Sequence, residues 1–209
     1  MTNQLEGDPG AAIALARASH ERLLAAASTL TDEQLRAPSR LPGWTVGHVL
    51  THLARNAEGH ARRLEGALRG EDEPRYPGGM EQRDGDIASG STRSSSEIVE
   101  DVDATNRRLE EVWDRCSSAG WPHADLLGGD YWPITESPVR RLREVEMHHV
   151  DLGIGYEPTE WPDAYVDWEL PQILSTLPDR VARQADRRDL VAWLSGRRTD
   201  PPDPSLESW

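Results

Sequence analysis

The chain has 209 residues, enough for one ample domain or for a domain with a small appendage. Its formal charge of -14 argues against nucleic acid and anionic membranes as partners, because phosphate surfaces call for a cationic field. A hydrophobic fraction of 36% and a mean hydropathy of -0.69 are low for one large core, and point to much exposed polar surface or to extended segments beside a compact part.

No apolar run approaches the length of a membrane span, and MTNQLEGDPG has no signal-peptide character, so a soluble cytoplasmic protein is expected. Cys116 is the only cysteine, which excludes an intrachain disulfide. No histidine stands near it at ligand spacing, so it reads as a buried helical thiol, and thiol chemistry would need a thiol from outside. Every basic side chain is arginine, and eight tryptophans occur without a phenylalanine.

Residues from about Pro9 to Leu30 read as a first helix, with Ile13, Leu15, Ala16, Leu23, Leu24 and Ala27 on a broad apolar face. Thr31 followed by Gln34 has the capping-box pattern for a short further turn. After the break SRLPGW, Thr45 caps a long helix to about Arg69, carrying Val46, Val49, Leu50, Leu53, Ala57, Leu64 and Leu68. From Gly70 to Ser96 the composition turns to Gly, Pro, Asp and Ser, which predicts a long functional loop. Ser94 with Glu97 opens a third long helix through Ile98, Val102, Leu109, Val112 and Trp113. GWPHADLLGGDYWPIT is irregular, with room for short extended pieces. Ser137 followed by Pro138 starts a fourth helix that ends near Gly153. A helical stretch from about Asp163 to Gly196, interrupted near Pro171, precedes the proline-rich tail RRTDPPDPSLESW. The fold class is therefore all-α, a four-helix bundle with a short, mainly helical C-terminal extension. Bundles of this kind build metal sites in the core from facing helices.

Glu144 and His148 stand at i and i+4, on one face of the fourth helix, and His52 ends the HVLTH of the second. A carboxylate and two imidazoles hold a divalent ion with one position open, the pattern of a catalytic zinc site. Rival pairs remain on both helices. His48 and His52 are also i, i+4, and Glu146 with His149 competes with Glu144 and His148, because Val139, Leu142, Val145, His149 and Leu152 trace the apolar stripe. His60 continues the stripe of Leu53, Ala57 and Leu64 and reads as an interfacial residue. His20 and His123 read as surface or packing residues.

RLPGWTVGHVLTHLARNAEGHARRL and the later REVEMHHVDLG resemble the mycothiol-dependent maleylpyruvate isomerase family, whose N-terminal domain is a DinB-like four-helix bundle. The resemblance covers most of residues 10–155. It implies a DinB-like metal-binding bundle over residues 8–155, followed at 156–209 by a short extension, reduced relative to the family's α/β C-terminal domain. It also implies Zn2+ or another divalent metal on His52, Glu144 and His148, with mycothiol as thiol cofactor. RDGDIASGST and LVAWLSGR resemble further family stretches, which makes Arg83 and Arg197 the candidate substrate-binding residues. No catalytic residue is assigned beyond the metal centre.

The resemblance implies addition of the mycothiol thiolate to the cis double bond of maleylpyruvate, rotation, and loss of the thiol to give the trans product. S-transfer of mycothiol to an electrophile is the alternative reaction, and a non-catalytic metal-binding helical module the alternative of another class. The expected partners are a small thiol and a small electrophilic or unsaturated acid, with no nucleic acid and no membrane, in a monomer or homodimer.

Overall fold

The computed structural model describes residues 5, 7–130, 132–181 and 184–202, Gln184 by its backbone alone. Among these, the regular structure is eight α-helices and two single-turn 3-10 segments; no strand occurs, and an isolated bridge joins Pro38 to Thr45. Among the described residues, no helix is long and apolar enough to cross a membrane.

Helix starts follow local hydrogen-bonding chemistry. Helix α1 (Pro9–Ala27) begins at Asp8, whose carboxylate accepts from the backbone N–H of Gly10 and Ala11. Complete capping boxes open α2 (Asp32–Arg36) at Thr31 and Gln34, and α5 (Ser95–Ser118) at Ser94 and Glu97. In α3 (Val46–Arg69) the box is closed by the ring of His48, which accepts from the Thr45 N–H. Helix α3 stops at Gly70, whose φ of 76° is the left-handed conformation that favours glycine. Helix α6 (Ser137–Asp151) carries Pro138 in its first turn, where no hydrogen bond is lost.

The segment from Gly70 to Ser96 is not one loop. It contains α4 (Gly79–Gly90), which buries only Ile87 and so shows almost no apolar period in sequence. It docks on α3 through glycines: a Cβ on Gly47 would stand 2.7 Å from the Ser91 carbonyl oxygen, and one on Gly90 would stand 2.6 Å from Thr51 Cγ2.

Helices α1 and α3 each pack on both α5 and α6, so the bundle runs α1, α5, α3, α6 around its axis, with α1 opposite α3 and α5 opposite α6. Leu23, Val46, Val49, Leu50, Leu53, Ile98, Val102 and Val145 form its apolar centre. Cys116 is buried in α5, and burial pushes its thiol up to about 11, in keeping with a packing role. One charged side chain joins all four helices. Arg141 of α6, fully buried, donates from Nη1 to Leu53 O and Asn56 Oδ1 on α3 (both 2.9 Å). It also donates from Nη2 to Asn106 Oδ1 on α5 (2.8 Å) and from Nε to His20 Nε2 on α1 (3.1 Å).

The chain divides into two compact units, Met1–Tyr165 and Val166–Trp209. Residues just after the bundle belong to the first: the Tyr156 hydroxyl donates to Glu146 Oε2 (2.5 Å), and Trp161 Nε1 donates to the Glu146 carbonyl (3.1 Å). Helix α7 (Asp163–Arg180) passes through Pro171 and Pro178, so the interruption expected near Pro171 does not occur. Proline's φ is helical, and its cost falls mainly on one hydrogen bond and a local bend. Helix α8 (Gln184–Leu194) follows. The proline-rich tail is described as far as Pro202, and Trp209 lies outside the described residues.

Arg141→Met keeps the volume but leaves four buried acceptors on three helices without their donor. It is expected to lower unfolding free energy by about 3–5 kcal/mol, measured by urea denaturation; a loss under about 1 kcal/mol would contradict the cross-linking role.

Candidate metal centre

His52, in the second turn of α3, and Glu144 and His148, one turn apart on α6, bring one donor atom each into a group spanning no more than 4.8 Å. His52 Nε2 lies 3.0 Å from Glu144 Oε2 and 3.1 Å from His148 Nε2, and the third edge, His148 Nε2 to Glu144 Oε2, is 3.7 Å. Ligands about 2.0–2.2 Å from one tetrahedral zinc stand roughly 3.3–3.6 Å apart. The observed edges bracket that spacing, and the donor set of two imidazoles and a carboxylate suits zinc.

Proton positions follow from the neighbours. His148 Nδ1 is 2.8 Å from Asp151 Oδ2, and since a carboxylate only accepts, the ring proton sits on Nδ1 and Nε2 presents its lone pair. His52 Nδ1 lies 3.0 Å from Arg83 Nη2. A guanidinium only donates, so Nδ1 accepts and the His52 proton is on Nε2, directed at Glu144. Burial opposes ionisation of Glu144, yet the hydrogen bond from His52 and the imidazoles of His52, His148 and His60 hold its carboxyl well below the usual range. Burial also lowers the His52 pKa, against the pull of Glu144.

The other histidines have different work. His48 is engaged in the α3 cap and reaches Ser91 Oγ (3.2 Å). His60 is buried, stacks on Trp132 with ring centroids 5.3 Å apart, and pairs through Nδ1 with Ser137 Oγ (2.8 Å). His149 does face the core, as its place in the apolar stripe predicts, and stacks on Tyr156 at 4.0 Å. Its rival partner Glu146 is occupied by Ser19, Arg22 and Tyr156, so that pair forms a buried polar cluster and not an ion site. His20 is buried beneath Arg141 with Nδ1 2.6 Å from Glu110, whereas His123 is exposed on a loop with a φ of 54°.

Arg83, on α4, stands at the centre through His52 and is also held by Asp84 (2.7 Å). It lines a cleft of about 340 Å³ bounded by α3, α4, the start of α5 and the loop carrying Arg75 and Tyr76. Arg197 follows α8 in the second unit, its backbone N–H on Ala192 O (2.7 Å) and its guanidinium on the Ser195 carbonyl. Three residues at the centre escaped sequence reasoning. Asp151 carried a usable signal, an acidic residue three positions after His148. Tyr76 and Arg141 carried none, because a loop tyrosine and one arginine among many have no distinguishing pattern. Burial raises the Tyr76 pKa, so its phenol is protonated.

Residues 16–153 match the sequence profile of the mycothiol maleylpyruvate isomerase N-terminal domain. Among solved structures, the crystal structure of the mycothiol-dependent maleylpyruvate isomerase aligns with a TM-score of 0.83 at 23% sequence identity, covering 100% of both chains. A histidine-to-alanine mutant of that isomerase aligns with the same score, identity and coverage. At such identity the likeness establishes the fold. No curated protein matches the chain.

Burial holds His20 and His149 at about 4, so both are neutral in the folded protein at neutral pH. Below about pH 6.5 the unfolded chain takes up protons that the folded chain does not, so stability falls as pH is lowered through that window. Between about pH 7 and 5, above the carboxylate range, the loss is expected to be about 2 kcal/mol for His20 and smaller for the less enclosed His149. Urea unfolding followed by tryptophan fluorescence checks this, and His149→Phe, which keeps the stacking on Tyr156, should flatten the dependence.

Proposed function

The chain belongs to the mycothiol maleylpyruvate isomerase N-terminal domain family, and from that membership we propose a metal-dependent enzyme that uses the thiol of mycothiol to isomerise a small cis-unsaturated keto acid of the maleylpyruvate type. The observation that carries this reading is the convergence of His52, Glu144 and His148, the one such donor group among the described residues. These three residues would hold the ion. A bound zinc would act as a Lewis acid and lower the pKa of a coordinated thiol, so that thiolate is present near neutral pH.

The chain's own groups prepare that chemistry. Asp151 fixes His148 in the tautomer whose Nε2 is free to ligate. With Nε2 of His52 given to an ion, its ring proton would belong on Nδ1, which would then no longer accept from Arg83. Arg83, which lines the cleft and also pairs with Asp84, could then offer Nη2 to a substrate carboxylate. Tyr76 lines the same cleft with its phenol protonated, a donor for the keto oxygen. Arg141, one turn from Glu144, keeps its positive charge beneath the carboxylate: burial lowers its pKa only to about 10.

Elemental analysis of the purified protein is expected to show about one zinc per chain. His52→Ala and His148→Ala should lose it, while His149→Ala should retain it. Proton NMR of maleylpyruvate with catalytic mycothiol should show the trans isomer with the thiol regenerated, and a stable thioether would assign S-transfer instead. A protein that neither contains nor takes up a divalent metal overturns both reactions.

A further inference from the structure

The two histidines that face Glu144 are held in place by different means. His148 has the support usual for a metal-ligating imidazole: its Nδ1 donates to the carboxylate of Asp151 (2.8 Å), which fixes both ring and tautomer. Among the described residues, none accepts from His52 Nδ1. That atom faces the guanidinium of Arg83 at 3.0 Å, and a guanidinium only donates. With an ion on Nε2 and the ring proton on Nδ1, two donors would oppose each other there. Something other than a hydrogen bond must then orient the ring.

Trp44 lies against it. The indole and the His52 ring have centroids 5.7 Å apart and planes 67° apart, the T-shaped arrangement that aromatic pairs favour. The same indole stands 6.1 Å from the ring of His48, one turn earlier on α3, so it spans two successive rings on one helix face. Trp44 is itself fixed by a tight turn. The N–H and Oγ of Ser39 both donate to the Trp44 carbonyl (2.9 Å each), and the Trp44 N–H donates to Leu41 O (3.1 Å). Gly43, just before it, takes a φ of 79° that favours glycine. The turn also reaches α6: the Arg40 N–H donates to the Asp151 carbonyl (2.7 Å), and the Arg40 guanidinium grips both oxygens of Glu157. Asp151 is the residue that orients His148. One short turn thereby meets the support of both imidazoles.

We propose that Trp44 is a positioning residue for metal binding, holding the His52 ring by aromatic packing where His148 is held by a hydrogen bond. The inference rests on the metal-dependent reading above. The imidazole torsion nearest the ring is broad and roughly two-fold, so a ring without a polar anchor swings unless a neighbour confines it. A flat indole beside the ring confines that swing. It keeps Nε2 aimed at the place it shares with Glu144 Oε2 and His148 Nε2, 3.0 and 3.1 Å away. An aliphatic side chain in the same turn fills space but offers no ring face.

Zinc affinity of the full chain, measured by competition with a chromophoric chelator, tests this. Trp44→Leu keeps an apolar side chain in the turn and is expected to weaken binding about tenfold or more, the usual cost of losing a group that orients a ligand. Trp44→Phe keeps a ring and should bring affinity back to within about threefold of the unsubstituted protein. With Co2+ in place of zinc, Trp44→Leu should also alter the visible absorption bands, which report ligand geometry. Leu24→Ala removes packing on the same apolar centre from α1; it should lower stability to urea yet leave affinity and cobalt bands unchanged. Native affinity and bands in Trp44→Leu overturn the inference, as does a loss that Trp44→Phe does not recover or that Leu24→Ala reproduces. Those outcomes leave metal binding by the unsubstituted chain intact. A chain that takes up neither ion instead removes the metal-dependent reading, and the role of Trp44 with it.

Discussion

The bundle turns on the buried guanidinium of Arg141. A charge taken out of water costs several kcal/mol unless its hydrogen bonds are replaced, so the surrounding helices must supply acceptors at fixed positions. Helix α3 supplies Leu53 O and Asn56, α5 supplies Asn106, and α1 supplies His20. A slip of any one helix by a turn would strip a donor of its partner. Apolar residues such as Leu50 and Val102 tolerate such slips far better, because dispersion contacts have no direction. Arg141 thus gives the bundle a register that its apolar centre alone does not impose.

That register is what brings the candidate metal ligands together. His52 lies between Leu53 and the turn before it on α3, and Glu144 lies one turn from Arg141 on α6. The same hydrogen bonds that align Leu53 and Asn56 with Arg141 therefore bring His52 Nε2 within 3.0 Å of Glu144. The electrostatics follow the same connection. Arg141 faces mainly neutral acceptors, and Glu144 is the foremost negative charge acting on it. An ionised Glu144 is in turn what a divalent cation needs. Fold and candidate site are held by one arrangement of charge, with Asp151 orienting His148 from the end of α6.

What could be read beforehand was what local chemistry encodes. Thr31, Thr45, Ser94 and Pro138 mark helix starts because capping uses side chains within three residues of the backbone they satisfy. Glu144 and His148 were legible as a pair, but periodicity favoured His149, and correctly so for burial: His149 is in the core. The side of α6 that turns Glu144 and His148 toward His52 is not its apolar side, and only resemblance in the EMHHVD motif distinguished His148. Helix α4 was missed because it buries one residue and is held by close approach of Gly47 and Gly90, which leaves no apolar period to find. Arg141 was invisible because its role depends on four helices meeting, a fact of tertiary packing.

The low hydropathy of the chain has a cause that composition could not separate from exposed surface. Part of the polar content lies inside: Arg63, Arg141, His20, Glu146 and His149 are all buried, each with partners. An interior rich in acceptors and cations also suits tryptophan better than phenylalanine. Trp113 donates to Ser137 Oγ and Trp161 to the Glu146 carbonyl, while the guanidinium of Arg63 lies 4.1 Å from the centroid of the Trp132 ring. Phenylalanine offers no N–H for the first two and a weaker face for the third. The indoles bury large apolar area while satisfying a polar neighbour, which is how so hydrophilic a chain still closes a bundle around a charged centre.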